Sequence, residues 1–251
     1  MLECVVNVSE GARRAVVDEI AAAAGAELLD VHTDRHHNRA VLTLVGEEAP
    51  RRVARAAVAR LDLRAHQGVH PRIGVVDVVP FVPLGASTMA DAVAARDRFA
   101  AWIASELGVP AFAYGPERSL PEVRRRAFRD LVPDVGPSTP HPTAGAVAVG
   151  ARGILVAWNL WLAEPDLEAA RRVAARVRGP HLRALGLAVG SRVQVSMNLI
   201  APEVIGPAEA WDLVAEHVGV AGAELVGLVP AWLLERTDER RWAQLDLDPE
   251  R

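Results

Sequence analysis

The chain has 251 residues, 51% hydrophobic and 24% charged, a balance typical of a folded globular protein and not of a disordered one. Its formal net charge of −4 argues against a general affinity for nucleic acid or for an anionic membrane. The single cysteine, Cys4, excludes a disulfide within the chain and a thiolate metal cage, which favours a reducing compartment.

The first half of the chain predicts the element order βαββαβ. Short apolar segments predict strands at residues 3–8, 28–31, 40–45 and 73–79, and apolar residues at helical spacing predict helices at residues 15–24 and 51–63. An amphipathic helix at residues 88–107, an edge strand at 109–114, a basic helix at 121–131 and a Pro/Gly-rich loop at 132–145 follow. We interpret the run Arg124-Arg125-Arg126 as a solvated helix face.

The same order begins again after residue 146. Strands are predicted at residues 153–162, 183–189, 192–200 and 223–229, with helices at 166–178 and 207–218. We therefore expect an α/β (α+β) chain of two ferredoxin-like βαββαβ subdomains, residues 1–145 and 146–251. Their sheets are expected to face each other across a cleft, with the helices outside.

Three polar segments are candidates for chemistry. Residues 65–74 join a predicted helix to a buried strand and contain His66, His70 and Arg72. Imidazole titrates near pH ~6.5 and can transfer protons, while a guanidinium can bind a carboxylate with two parallel hydrogen bonds. Residues 34–39 place Arg39 and further histidines between two neighbouring strands, and residues 136–145 form a stiff loop with three prolines and several hydroxyl groups.

Together, these segments resemble the formiminotransferase domain family. That domain forms the N-terminal part of formiminotransferase-cyclodeaminase and also exists as a free-standing glutamate formimidoyltransferase. The resemblance rests on residues 3–11, 38–39, 66–72, 136–138, 150–152, 194–199 and 225–230. Because these segments occur in the same order over nearly the whole chain, they indicate the family far more strongly than one isolated His-containing motif would.

The resemblance implies transfer of the formimino group of N-formimino-L-glutamate to N5 of tetrahydrofolate, a step of one-carbon metabolism and histidine degradation. It implies tetrahydrofolate as co-substrate, no metal, and His70 as the catalytic base and acid. Residues expected to bind substrate or folate are Asn7, Arg39, His66, Arg72, Gly136, Pro137, Ser138, Thr139, Thr143, Gly145 and Asn198.

Two other functions stay open at this point. A non-catalytic folate-binding homologue would keep the motifs without turnover. A metal hydrolase using His37, His66 and His70 is less favoured, because Gly68 and Pro71 interrupt the helix on which such spacing works best. The expected partners are small molecules, with no nucleic acid and no membrane; a homodimer is possible. With no signal-peptide pattern and no apolar run of membrane-spanning length, we expect a cytoplasmic protein.

Overall fold

The structure is a computed structural model in which residues 1–247 are described. It is a mixed α/β chain that divides into two compact units, Met1–Arg152 and a second unit beginning at Gly153. No helix in residues 1–247 is both long and apolar enough to cross a membrane.

The first unit contains six strands and four α-helices. The strands are β1 (Leu2–Val8), β2 (Leu28–Asp34), β3 (Arg39–Val45), β4 (Val76–Pro83), β5 (Ala111–Tyr114) and β6 (Val147–Ala151). The helices are α1 (Arg14–Ala22), α2 (Glu48–Arg60), α3 (Met89–Leu107) and α4 (Leu120–Arg126). The strand order β2-β3-β1-β4-β6-β5 contains the predicted ferredoxin-like order β2-β3-β1-β4, which is antiparallel, and extends it by two parallel strands.

Helices α1, α2 and α3 bury their apolar stripes on one face of this sheet. The largest fully buried side chains of this core are Ile20, Leu42, Leu44, Phe81, Phe99 and Ile103. Alternation along the strands sends the neighbouring side chains to the opposite face, where a smaller cluster packs. That cluster joins Val78, Phe112, Tyr114 and Ala148 to Val123 of α4. Helix α4 is therefore attached to the face that α1–α3 leave uncovered.

The second unit has the complete ferredoxin-like plan. Its strands are β7 (Val156–Leu162), β8 (Leu182–Val189), β9 (Arg192–Leu199) and β10 (Val220–Val226), in the antiparallel order β10-β7-β9-β8. Its helices are α5 (Leu167–Val177), α6 (Pro207–Ala215), α7 (Ala231–Arg236) and α8 (Trp242–Leu245). The mixed α/β class and the ferredoxin-like strand order are confirmed.

The predicted subdomain boundary between residues 145 and 146 differs from the structural division between Arg152 and Gly153. The sequence pattern restarts at residue 146 and so predicts that residues 146–152 belong to the second subdomain. Strand β6 instead pairs in parallel with β4 and β5, for example Val79 with Val149. The first unit therefore has six strands, two more than the ferredoxin-like order alone requires.

Candidate functional site

Three strand ends of the first unit meet at one place. Because β1 is antiparallel to both neighbours, its last residues lie beside the first residues of β3 and β4: Val8 pairs with Ala40 on one side and with Val76 on the other. This geometry brings Asn7, Arg39 and Asp77 together, although they are far apart in the chain. We call this arrangement, with His70, the strand-end cluster.

Arg39 is the centre of the strand-end cluster. Its Nε donates to Oδ1 of Asn7 at 3.0 Å, and its Nη1 donates to Oδ2 of Asp77 at 2.8 Å. Only 11% of the Arg39 side chain is exposed. Burial lowers the pKa of Arg39, and the neighbouring Asp77 carboxylate opposes this. Two predicted site residues, Asn7 and Arg39, are thus in direct contact.

Asp77 is the buried anion of the cluster, with 0% side-chain exposure. Its Oδ2 accepts from Arg39 and also from Nη2 of Arg124 at 2.6 Å, while its Oδ1 accepts from the backbone N–H of Ile73 at 2.8 Å. Burial by itself would raise the pKa of Asp77. The two guanidinium groups outweigh it and hold that pKa below its usual range.

His70 touches the cluster through Nδ1. This atom lies 2.7 Å from the carbonyl oxygen of Pro71 and 3.1 Å from Nη1 of Arg39. A carbonyl can only accept and a guanidinium can only donate, so Nδ1 cannot satisfy both. The Pro71 contact is shorter and Arg39 has Asp77 as an acceptor, so we assign the proton to Nδ1. The other ring nitrogen, Nε2, makes no hydrogen bond to any residue in the described part of the chain and carries the lone pair.

The surroundings of His70 favour its neutral form. Burial lowers the pKa of His70 to about 3, assisted by the positive charges of Arg39 and Arg124 and opposed by Asp77 and the Pro71 carbonyl. At neutral pH, the imidazole therefore offers an acceptor at Nε2. The ring of His37 stands edge-on against it, with 5.9 Å between ring centroids.

His66 and Arg72 brace the loop that carries His70. Nη1 of Arg72 donates to the carbonyls of Gly68 and His70, each at 3.0 Å, and Nη2 donates to the carbonyl of His66 at 3.4 Å. Nε2 of His66 lies 2.9 Å from the carbonyl of Asn38. Both predicted site residues are therefore close to His70, but the contacts they make are with backbone.

Asn38 and Gly68 hold this loop against the β2–β3 connection. The Asn38 amide accepts from the N–H of Gly11 at 2.9 Å and donates to the carbonyl of Gln67 at 2.8 Å. A Cβ at Gly68 would lie 2.5 Å from the carbonyl oxygen of His37. Glycine is required there by close backbone approach.

The two ends of the predicted 136–145 loop lie in different places, one near the His70 loop and the other near the end of α3. Its end is near the His70 loop, because the carbonyl of Thr143 accepts from the N–H of Leu63 at 2.7 Å and Gly145 forms a bridge with Gly74. Gly145 also has a positive φ of 72°, which glycine tolerates. The other predicted binding residues of the loop are exposed: Gly136, Pro137, Ser138 and Thr139. Of these, Gly136 lies near Ala104, towards the end of α3.

Asn198 lies in the second unit, exposed on β9. It shares one face of that strand with Gln194 and Ser196, while Val195 and Met197 between them belong to the core. Gln194 is fully buried, and neither its Oε1 nor its Nε2 has a hydrogen-bond partner within residues 1–247.

Sequence reasoning gave no site role to Asp77 or Arg124. His37 and Asn38 lie in the segment 34–39 that it singled out, His37 as a ligand in the metal-hydrolase alternative and Asn38 as part of the family resemblance. Asp77 had a readable signal, since a lone carboxylate in an apolar β-branched strand needs a charged partner. The interpretation of Arg124 as part of a solvated face is wrong, because it reaches the buried Asp77. Arg125, its neighbour in the run, is exposed as expected. Within the part of the chain that is described, no three His, Cys, Asp or Glu side chains are grouped to hold a metal ion.

Comparison with known proteins gives a consistent result. The model of the formiminotransferase domain, N-terminal subdomain, matches residues 1–152, the whole of the first unit. This chain belongs to the formiminotransferase domain family. It is 36% identical to a glutamate formimidoyltransferase of Streptococcus pyogenes serotype M1, over 92% of the chain and 89% of that relative.

Further members of the formiminotransferase family show the same extent of similarity. The glutamate formimidoyltransferase of Thermoplasma acidophilum is 34% identical over 92% of the chain and 88% of the relative. The formimidoyltransferase-cyclodeaminase of Sus scrofa is 35% identical over 92% of the chain but only 50% of the relative. The chain thus spans half the length of that relative.

Proposed function

We propose that this protein is a glutamate formimidoyltransferase, which transfers the formimino group of N-formimino-L-glutamate to N5 of tetrahydrofolate. Two relatives of that name, from a bacterium and an archaeon, each match 92% of the chain. The observation that carries the proposal is the hydrogen bonding of the His70 imidazole in the strand-end cluster. Its Nδ1–H is held by the Pro71 carbonyl, and Nε2 is left as a proton acceptor.

The chemistry assigned to the chain is proton transfer. Tetrahydrofolate would supply the N5 amine, and formiminoglutamate would supply the formimino carbon. His70 Nε2 accepts the proton that the amine loses when the new C–N bond forms. It then returns that proton to the glutamate nitrogen as the old C–N bond breaks, so the histidine ends in its starting state. The remaining acceleration comes from holding both substrates in one orientation.

The charges of the strand-end cluster suit an anionic substrate. Arg39 and Arg124 share the single carboxylate of Asp77, which leaves an excess positive charge beside His70. A substrate carboxylate near Arg39 would compensate this charge and thereby make His70 a stronger base. Both proposed substrates contain a glutamate moiety, and each therefore provides such a carboxylate.

The other predicted residues take supporting roles in this proposal. Arg72 and His66 hold the His70 loop. Asn7 orients Arg39. The exposed loop residues Gly136, Pro137, Ser138 and Thr139, with Thr143, Gly145 and Asn198, remain the proposed contacts of tetrahydrofolate. A homodimer, a cytoplasmic location and a role in histidine degradation also remain predictions.

The test is an assay of purified protein with formiminoglutamate and tetrahydrofolate that measures 5-formimino-tetrahydrofolate. We expect His70→Ala to reduce kcat by about 100- to 10,000-fold, the usual contribution of general acid–base catalysis. His217→Ala, which removes an exposed histidine of the second unit, is the matched control and should retain full activity. Full activity in His70→Ala would remove His70 from the mechanism. Tetrahydrofolate binding without product in the unaltered protein would favour the non-catalytic homologue.

A further inference from the structure

Helix α4 brings a charged side chain to the strand-end cluster from outside the ferredoxin-like part of the sheet. Val123 of α4 is fully buried in the smaller apolar cluster with Val78 of β4. This contact fixes the helix beside β4. The next residue, Arg124, has only 20% of its side chain exposed, whereas Arg125 is exposed. Packing of one residue thus determines where the guanidinium of its neighbour lies.

The Arg124 guanidinium joins two acceptors that belong to different segments. Nη2 donates to Oδ2 of Asp77 at 2.6 Å, and Nη1 donates to the carbonyl oxygen of Pro71 at 3.0 Å. That carbonyl is also the acceptor 2.7 Å from Nδ1 of His70. Arg124 therefore connects the buried anion of the cluster to the backbone group that holds the imidazole.

Resting on the proposed function, we propose that Arg124 is a positioning residue for His70. By tying the Pro71 carbonyl to Asp77, it fixes the acceptor of the His70 Nδ1–H and keeps Nε2 as the atom that exchanges protons with the substrates. Arg124 does not itself exchange a proton. A planar guanidinium suits this role because two of its nitrogens can reach two acceptors at once, whereas a lysine ammonium is a single point charge.

The charged and titratable groups around His70 come from four elements. Arg39 lies on β3, Asp77 on β4, Arg124 on α4 and His37 on the β2–β3 connection. Arg124 contributes a positive charge that lowers the pKa of His70, after burial and Arg39. Loss of Arg124 should therefore have two separable consequences: a less firmly held imidazole and a more readily protonated one.

Three variants separate these consequences. Arg124→Met removes the charge and both hydrogen bonds, and Arg124→Lys keeps the charge but cannot reproduce the two-acceptor bridge. Arg125→Met is the matched control, since it removes the same charge from the next residue of the same helix at an exposed position. The first measurement is an NMR titration of the His70 imidazole nitrogens in the protein without substrate, assigned with His70→Gln. The second is kcat and KM as a function of pH.

For Arg124→Met, we expect the protonation midpoint of His70 to move to higher pH and kcat to fall by about 100-fold, as a misplaced catalytic group commonly causes. Arg124→Lys should leave the midpoint near that of the unaltered protein while kcat still falls. Arg125→Met should change neither. If Arg124 had a purely structural role, its variants would not change the His70 midpoint and kcat separately in this way.

A folded Arg124→Met protein with an unchanged His70 midpoint, or an Arg124→Lys protein with unchanged kcat, would overturn the proposal. If Arg124→Met does not fold, Arg124→Lys decides alone through kcat and the His70 tautomer. The NMR titration needs no turnover. Absence of formimino transfer in the unaltered protein would therefore refute the proposed function, while the titration would still show whether Arg124 holds His70.

Discussion

The two sheets of this protein have the same ferredoxin-like strand order but carry different chemistry. In the first, the strand ends hold a buried carboxylate between two guanidinium groups, with His70 against them. In the second, the buried polar side chains include Gln194 and Asn159, whose amide donates to Glu224 at 3.0 Å. The strand order therefore does not determine where the charged site lies.

The difference follows from what is added to the first sheet. Strands β5 and β6 extend it, and α4 packs on the face that the other helices leave uncovered. This addition supplies Arg124, the second cation that allows Asp77 to stay ionised while fully buried. A buried carboxylate with its partners removed is expensive, so the network must be complete to be tolerated.

The largest effect should come from breaking the buried charge network. Asp77→Asn leaves two guanidinium groups without their shared anion, and we expect it to lower the free energy of unfolding by about 3–5 kcal/mol, as for other broken buried pairs. Urea unfolding followed by circular dichroism measures this. The control is Asp130→Asn, which breaks an exposed pair with Arg126 and should cost less than about 1 kcal/mol. Equal losses in both variants would show that the Asp77 network carries no special weight.

A smaller effect is expected where backbones touch at the His70 loop. Gly68→Ala places a Cβ within 2.5 Å of the His37 carbonyl, so the loop must shift, at a cost of about 1–3 kcal/mol in unfolding free energy. Gly179→Ala in the second unit, which meets no atom within 4 Å, should be neutral or slightly stabilising. Thermal unfolding of the two variants checks this contrast, and an unaffected Gly68→Ala protein would mean that the loop packs more loosely than described.

The depressed pKa of His70 predicts a pH dependence of stability. The pKa of His70 is about 3 in the folded chain, against ~6.5 for an unperturbed histidine. Between these values the unfolded chain binds one more proton, so stability falls as pH decreases from about 6.5 towards 3, by at most about 1.4 kcal/mol per pH unit. Urea unfolding at pH 7 and pH 5 should show a smaller loss for His70→Gln than for the unaltered protein. Identical losses of stability in the two proteins would contradict a lowered pKa of His70.

The smallest effect is expected on the second sheet. Gln194 is buried with its amide unpartnered within residues 1–247, so Gln194→Met removes a polar group without breaking a described hydrogen bond. We expect a change in unfolding free energy within about 1 kcal/mol or a slight stabilisation, because replacing buried polar groups by apolar ones of similar shape is often nearly neutral. Chemical denaturation beside Asp77→Asn would measure the contrast between the sheets directly. A loss as large as that of Asp77→Asn would indicate a ligand or partner group for Gln194.

The residues that sequence reasoning found and missed differ in whether their contacts are local in the chain or depend on packing between distant segments. His66, His70 and Arg72 lie in one short segment, so their proximity follows from the chain itself. Arg39 and Asn7 were indicated by the family resemblance, and the antiparallel pairing of β1 and β3 explains their contact. The run of three arginines predicts a solvated Arg124, because such runs on helices usually face water, and only helix packing distinguishes Arg124 from Arg125.

The sequence by itself determined the family and the two βαββαβ patterns, and it singled out the segment that carries His70, because these depend on local periodicity and on ordered motifs. Only the tertiary structure decided that β6 extends the first sheet, that Asp77 joins two arginines, and that Nδ1 of His70 lies 2.7 Å from the Pro71 carbonyl oxygen. Each of these depends on contacts between distant segments, where burial and hydrogen-bond geometry select one arrangement from several that the sequence allows.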